Sequence, residues 1–114
     1  MTAFLASGVA AAAPDAIGAD YVDADGTHYT PMFGQPVMVF AAGAAHLSRT
    51  LERAVSRGVV PTVFTTDLFT TGHDAANRAA VAAVSGEHLD LAGIAIRADR
   101  KTVDKITAGL RLHS

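Results

Sequence analysis

Within the ten residues Thr65-Thr66-Asp67-Leu68-Phe69-Thr70-Thr71-Gly72-His73-Asp74 the chain gathers two carboxylates, four hydroxyls and an imidazole. The preceding Val60-Pro61-Thr62-Val63-Phe64 reads as a strand and the alanine-rich stretch after Asp74 as a helix, so the polar groups fall on the turn between them. Ligands of open α/β sheets collect at such places, outside the carboxyl ends of strands and near the free N–H groups of the next helix. Asp67 could orient a water or an imidazole there, Thr71 could hold a carbonyl or phosphate oxygen, and His73 could accept a proton. That makes Asp67, Thr71 and His73 the catalytic candidates, with Thr70, Gly72 and Asp74 as ligand contacts around the same mouth. The same residue types also satisfy loop N–H groups with no further role. No nucleophile elbow, Walker loop or dinucleotide glycine pattern decides between the two.

The elements that must position this turn can be read in order. Thr2 to Ala13 has helical spacing and stops before Pro14, because the residue preceding proline is pushed out of the α region. Short extended pieces, Asp20 to Val22 and His28 to Thr30, flank Asp23-Ala24-Asp25-Gly26 and predict a small hairpin. The acid spacing there does not match a calcium loop, and no other cluster has ligand spacing, so neither a metal nor a cofactor is expected. Pro36 opens Val37-Met38-Val39-Phe40-Ala41, which has the look of a fully buried strand.

From Ala44 the stripe Leu47, Leu51, Ala54, Val55 predicts a helix that shows Arg49, Glu52, Arg53 and Arg57 to water and ends at Gly58. The strand after it should lie parallel to Val37–Ala41 through a right-handed crossover. Asp74 is the expected N-cap of a helix Ala75 to Val84. Leu91 to Arg97 reads as a strand in which Gly93 permits a close approach. Asp99 caps a last helix, Arg100 to Ala108, with Val103 and Ile106 inward and an Arg100–Asp104 pair outside. Leu110 and Leu112 then alternate with charge as a short tail strand.

A length of 114 residues gives one domain, residues 1–114, and 24 of its apolar residues are alanine, which favours close packing over large buried area. The absence of cysteine removes thiol chemistry and suits a cytoplasmic protein. A net charge of −2 argues against general nucleic-acid binding, although Arg97, Arg100, Lys101, Lys105 and Arg111 make the C-terminal region basic. Lys101 and Lys105 share a helical face that would serve any nucleic-acid contact. No stretch is apolar enough for a membrane span, and the start lacks the basic region of a signal peptide. His28, His46, His88 and His113 are scattered and read as ordinary surface residues.

Three segments carry a resemblance: Asp23-Ala24-Asp25-Gly26, Leu68-Phe69-Thr70-Thr71-Gly72-His73-Asp74, and Asp99-Arg100-Lys101-Thr102-Val103-Asp104-Lys105-Ile106-Thr107-Ala108-Gly109-Leu110. With them the chain resembles the bacterial domain-of-unknown-function family 2000, which is similar in fold to the type II peptidyl-tRNA hydrolases. The resemblance implies a compact α/β domain with a mixed, largely four-stranded sheet and helices on both faces. It also implies a Val/Ile-rich strand before the helix that here starts at Met1, so the natural protein is expected to begin upstream.

Asp67 and Thr71 match the hydrolases' Asp-x-x-x-Thr motif, whereas Phe69 and Gly72 replace its intervening Gly and following Gln. The lysine those enzymes use has no counterpart, since the first basic residue is Arg49. Three functions follow as expectations. The first is a small-molecule-binding domain with its pocket above Asp67 and Thr71. The second is a peptidyl-tRNA hydrolase-like hydrolase of an ester or amide. The third is a homodimer formed through the smooth face Ala76, Ala79, Ala80 and Ala83.

Overall fold

The computed structural model describes residues 1–112. The chain is a mixed α/β domain with four α-helices and short antiparallel ladders among the described residues. Helix α1 (Thr2–Ala12) ends as the proline rule requires: Ala13 leaves the helix at φ −137° and Pro14 opens a 3₁₀ turn. Strands β1 (Tyr21–Val22) and β2 (His28–Tyr29) form the expected hairpin, with Tyr21 opposite Tyr29. Gly26 takes the positive φ of 83° that its turn needs.

β3 (Phe40–Ala41) precedes α2 (Ala44–Ser56), and β4 (Thr62–Thr65) follows it. α3 (Asp74–Ala82), β5 (Leu91–Ala95), α4 (Arg100–Ile106) and β6 (Arg111–Leu112) complete the described chain. His113, expected to be a surface residue, lies outside the described residues.

The pairing corrects the expected sheet. Three two-stranded ladders, β1–β2, β3–β6 and β4–β5, replace one largely four-stranded sheet, and each is antiparallel. β4 therefore has no parallel neighbour in β3 and pairs instead with β5, Thr62 opposite Ala95 and Phe64 opposite Gly93. Only the last two residues of the run Val37–Ala41 meet a ladder partner among the described residues, while Val37, Met38 and Val39 are 67%, 60% and 52% exposed. A short apolar run is compatible with a buried strand, but its composition cannot report whether a neighbour lies beside it.

The core sits where α1 and α2 meet the β4–β5 ladder. Leu5, Phe64, Leu91 and Ile106 are buried with Ala13, Ala16 and Ala54. Gly93 does what its position predicts: a Cβ there would stand 2.8 Å from Met1 Sδ and 2.9 Å from Leu5 Cδ1, so with glycine those two side chains of the first turn settle on the ladder without shifting. On α2 the buried face is centred on Thr50 and Ala54, and Val55, expected inside, is exposed. Arg53, expected in water, is half-buried and donates from Nη1 to the Ala108 carbonyl at 2.8 Å. Asp99 caps α4 as predicted, and Gly109 turns the chain out of it at φ 86°. The Arg100–Asp104 pair does not form among the described ion pairs.

Candidate functional site

The loop after β4 is held at three places. Thr66 donates its backbone N–H to the Asp90 carbonyl at 2.8 Å, which ties the loop's start to the residue before β5. Phe69 meets Phe64 edge-on with centroids 4.9 Å apart, and Phe64 in turn lies 6.0 Å from Phe4 of α1. Such tilted aromatic contacts favour one arrangement of the rings over others, so this row fixes the loop against the helix. The Thr66–Phe69 segment winds into a 3₁₀ turn, whose closing bond runs from Thr70 N–H to the Asp67 carbonyl.

Most of the predicted site residues spend their polar atoms inside the loop. The Thr70 hydroxyl donates to the Asp67 carbonyl at 2.9 Å, and the Thr71 hydroxyl lies 3.3 Å from the Leu68 carbonyl and against the Asn77 side-chain amide. Asp74 is not the cap. It is the first residue of α3, where its carboxylate accepts from Arg78 Nε at 2.8 Å across one helical turn. His73 is the cap instead, its Nδ1 accepting the Ala76 N–H at 3.2 Å. Asp, Asn, Ser and Thr lead the usual cap ranking, which is why the acid is expected there; the chain sets the boundary one residue earlier.

That bond has a chemical consequence. A backbone N–H can donate only to an unprotonated ring nitrogen, so the neutral His73 ring carries its proton on Nε2. Its free face is then a donor, and the lone pair a general base would need is engaged.

Asp67 is the exception. Its carbonyl accepts bonds from Thr70 and Thr71, but its exposed carboxylate makes no hydrogen bond or ion pair among the described residues. Gly72, the remaining predicted contact, is exposed, and a Cβ there would meet nothing within 4 Å.

Two concavities among the described residues lie away from this loop. A groove of about 360 Å³ runs between the end of α1, Gly58–Thr62 and Ala95–Arg97. A cavity of about 180 Å³ lies between α2 and the turn after α4. The pocket expected above Asp67 and Thr71 is neither of these two. Two residues matter here that the sequence does not single out. Asn77 joins Thr71 from the first turns of α3, and its spacing of four from His73 places it on the capped face. Thr65 is 1% exposed with a hydroxyl that has no partner among the described residues.

The acid turn in the hairpin differs from the Asp67 loop. Asp23 Oδ1 accepts from Asp25 N–H at 2.9 Å and Thr27 N–H at 3.0 Å, and Oδ2 accepts from the Tyr29 hydroxyl at 2.7 Å. The Tyr29 bond, then those backbone bonds, hold the Asp23 carboxyl below the usual carboxylate value, and the same bond raises the Tyr29 hydroxyl. The carboxyl of Asp99 is also lowered, first by the Thr102 hydroxyl and then by the Thr102 N–H. Among the described residues no group of three or more metal-ligating side chains gathers. No helix there is long and apolar enough to cross a membrane.

Over residues 1–114 the chain matches the family described as "Protein of unknown function (DUF2000)". The chain belongs to the DUF2000 family. A solved structure of a protein of unknown function, Atu0240, from Agrobacterium tumefaciens strain C58 is 41% identical to this DUF2000 domain. The similarity covers 99% of this chain and 84% of that one, with a TM-score of 0.95. The two share one fold over that length. No curated protein matches the chain.

Proposed function

We propose that this DUF2000 domain is a binding domain, and that it takes a small molecule bearing hydrogen-bond donors at the surface formed by Asp67, Thr70, Thr71, Gly72 and His73. One observation carries the reading: in a loop whose other polar side chains are tied to neighbours, the Asp67 carboxylate has no internal partner among the described residues. A rigid frame around an uncommitted acceptor is the arrangement that costs little to bind, because the ordering has been done in folding. The Nε2–H of His73 adds a donor on the same loop, which suits a ligand that also carries an acceptor. Asp74 and Thr71 act as supports, Asp74 through Arg78 and Thr71 through Asn77.

A peptidyl-tRNA hydrolase-like reaction at this loop is less well supported. It would draw on the kinship in fold that the sequence implies, but it asks His73 for a lone pair that the α3 cap already uses. The test is a screen of small primary amines, amides and alcohols against the ¹⁵N-labelled chain. The expected result is a cluster of shifted amides at Asp67, Thr70, Gly72 and His73. Hits that cluster elsewhere, with these amides unmoved, would refute the assignment.

A second reading has its own observation. No residue of α3 is buried, although the helix carries Ala76, Ala79 and Ala80 along its length. A helix with so little covered surface is suited to packing against a second copy through those small residues. Sedimentation of the chain at high micromolar concentration checks it. A dimer that Ala79→Glu turns into a soluble monomer is expected, and a monomeric wild type would end the idea.

A further inference from the structure

The cavity between α2 and the C-terminal turn lies apart from the Asp67 loop. His46, Arg49, Thr50 and Arg53 of α2 line it from one side and Ala108 to Leu110 from the other. Their spacing of three and four along the helix puts these four side chains on one face. Two guanidinium groups and an imidazole thus meet in one hollow that no Asp or Glu lines. None of the three takes part in an ion pair among the described residues, in a chain whose net charge is −2.

The lining groups are held in place differently. Arg53 is fixed by donating from Nη1 to the carbonyl of Ala108 at 2.8 Å, which leaves Nε and Nη2 to face other partners. Thr50 is 2% exposed and spends its hydroxyl on the His46 carbonyl at 2.8 Å, so it floors the cavity without offering a free donor. Arg49 is exposed and its side chain makes no hydrogen bond among the described residues. His46 lies in the first turn of α2, where the cap, Gly43, provides no side-chain acceptor and no acidic residue offsets the helix field. Like charges brought together without counter-charge repel, and a bound anion relieves that repulsion while accepting two-pronged bonds from the guanidinium groups.

We propose that this cavity binds a small tetrahedral oxyanion of the phosphate class, with Arg49 and Arg53 as its donors and His46 at the rim. The volume of about 180 Å³ lies below the roughly 300–1,000 Å³ of pockets for drug-sized ligands. The cavity therefore fits a phosphate or phosphomonoester head and is too small to enclose a whole nucleotide. Gly109 shapes the facing wall through its positive φ of 86°, a conformation other residues rarely take.

The test is a titration of the ¹⁵N-labelled chain with inorganic phosphate and, separately, methyl phosphate, at constant physiological ionic strength so that general screening is already in place. Saturable shifts at His46, Arg49, Thr50, Arg53 and Gly109 are expected. Arg49→Gln, which removes an exposed side chain with no internal partner, should weaken binding by about tenfold or more. Arg57→Gln removes the same charge beyond the cavity and should leave affinity unchanged. Tighter binding of methyl phosphate than of phosphate identifies the head of a larger molecule as the natural ligand, and the reverse identifies the free ion; both support the site. The proposal is overturned if neither anion gives a saturable response, if sodium chloride reproduces it, or if Arg57→Gln weakens binding as much as Arg49→Gln does.

Discussion

Asp23 and Asp67 both open short polar turns, yet they use their carboxylates in opposite ways. Asp23 accepts three bonds from within its hairpin and is held below its usual range. Asp67 supports its turn through its backbone carbonyl and leaves the carboxylate unengaged among the described residues. An acid of the first kind is part of the fold; an acid of the second kind is available. Both turns consume the backbone carbonyl of their aspartate, Asp23 taking the Gly26 N–H at 3.1 Å and Asp67 the Thr70 N–H at 3.1 Å, so what separates them is whether the carboxylate is consumed as well.

The comparison is broken most severely by disturbing the frame that holds the Asp67 loop. Gly93→Val would drive a side chain into Met1 and Leu5 and lift α1 from the ladder that carries Phe64. Overpacking of this kind costs about 1–3 kcal/mol. Chemical denaturation should show that loss, and the loop amides from Thr66 to Thr71 should shift with it. If Gly93→Val is as stable as the parent, α1 does not rest on β5 as closely as this packing requires.

Next comes Thr71→Val, which removes the hydroxyl between Leu68 and Asn77 while keeping its volume. A loss of about 0.5–1.5 kcal/mol is expected, the usual net contribution of an internal hydrogen bond. That loss would place Thr71 with the supports of the proposed surface rather than with its ligand groups. No change in stability would move it to the other class.

The acid limb of stability sharpens the Asp23 side. Its folded value lies below the ordinary 3.8, so the unfolded chain binds the proton first as pH falls. The contribution is fully present above the unfolded value and is lost as pH drops through the folded one. Asp99 acts with the same sign. Replacing Asp23 with Asn should therefore lower stability at neutral pH and flatten the loss on acidification, read by thermal melts from neutral pH down to about pH 2. An unchanged acid limb would show that the three bonds do not favour the charged form.

Much of the local structure is legible in the sequence. Pro14, Gly26, Asp99 and Gly109 each act within a few residues of themselves, and each does what its chemistry demands. Gly93 is legible as a close approach because a glycine inside a strand removes the side chain where a neighbouring element must come near. Which elements stand side by side is not legible in the same way. Val37–Val39 have the composition of an interior strand and lie exposed, and β4 pairs with a strand far along the chain instead of the one before it. In the candidate site, the choice between His73 and Asp74 as cap turns on a one-residue shift in the start of α3. His46, Arg49 and Arg53 look like solvated charge in the sequence because their facing wall, Ala108–Leu110, is distant along the chain.

The smallest expected effect on folding is also the most direct test of the proposed function. Asp67→Asn removes a carboxylate without internal partners, so stability should change by no more than about 0.5 kcal/mol. Affinity for the best donor-bearing compound found by screening should nevertheless fall by about tenfold, or roughly 1.4 kcal/mol. Both quantities come from one set of melts with and without that compound. An Asp67→Asn chain that melts early, or one that keeps the parent's full ligand-induced shift, would contradict the assignment of Asp67 as a binding group.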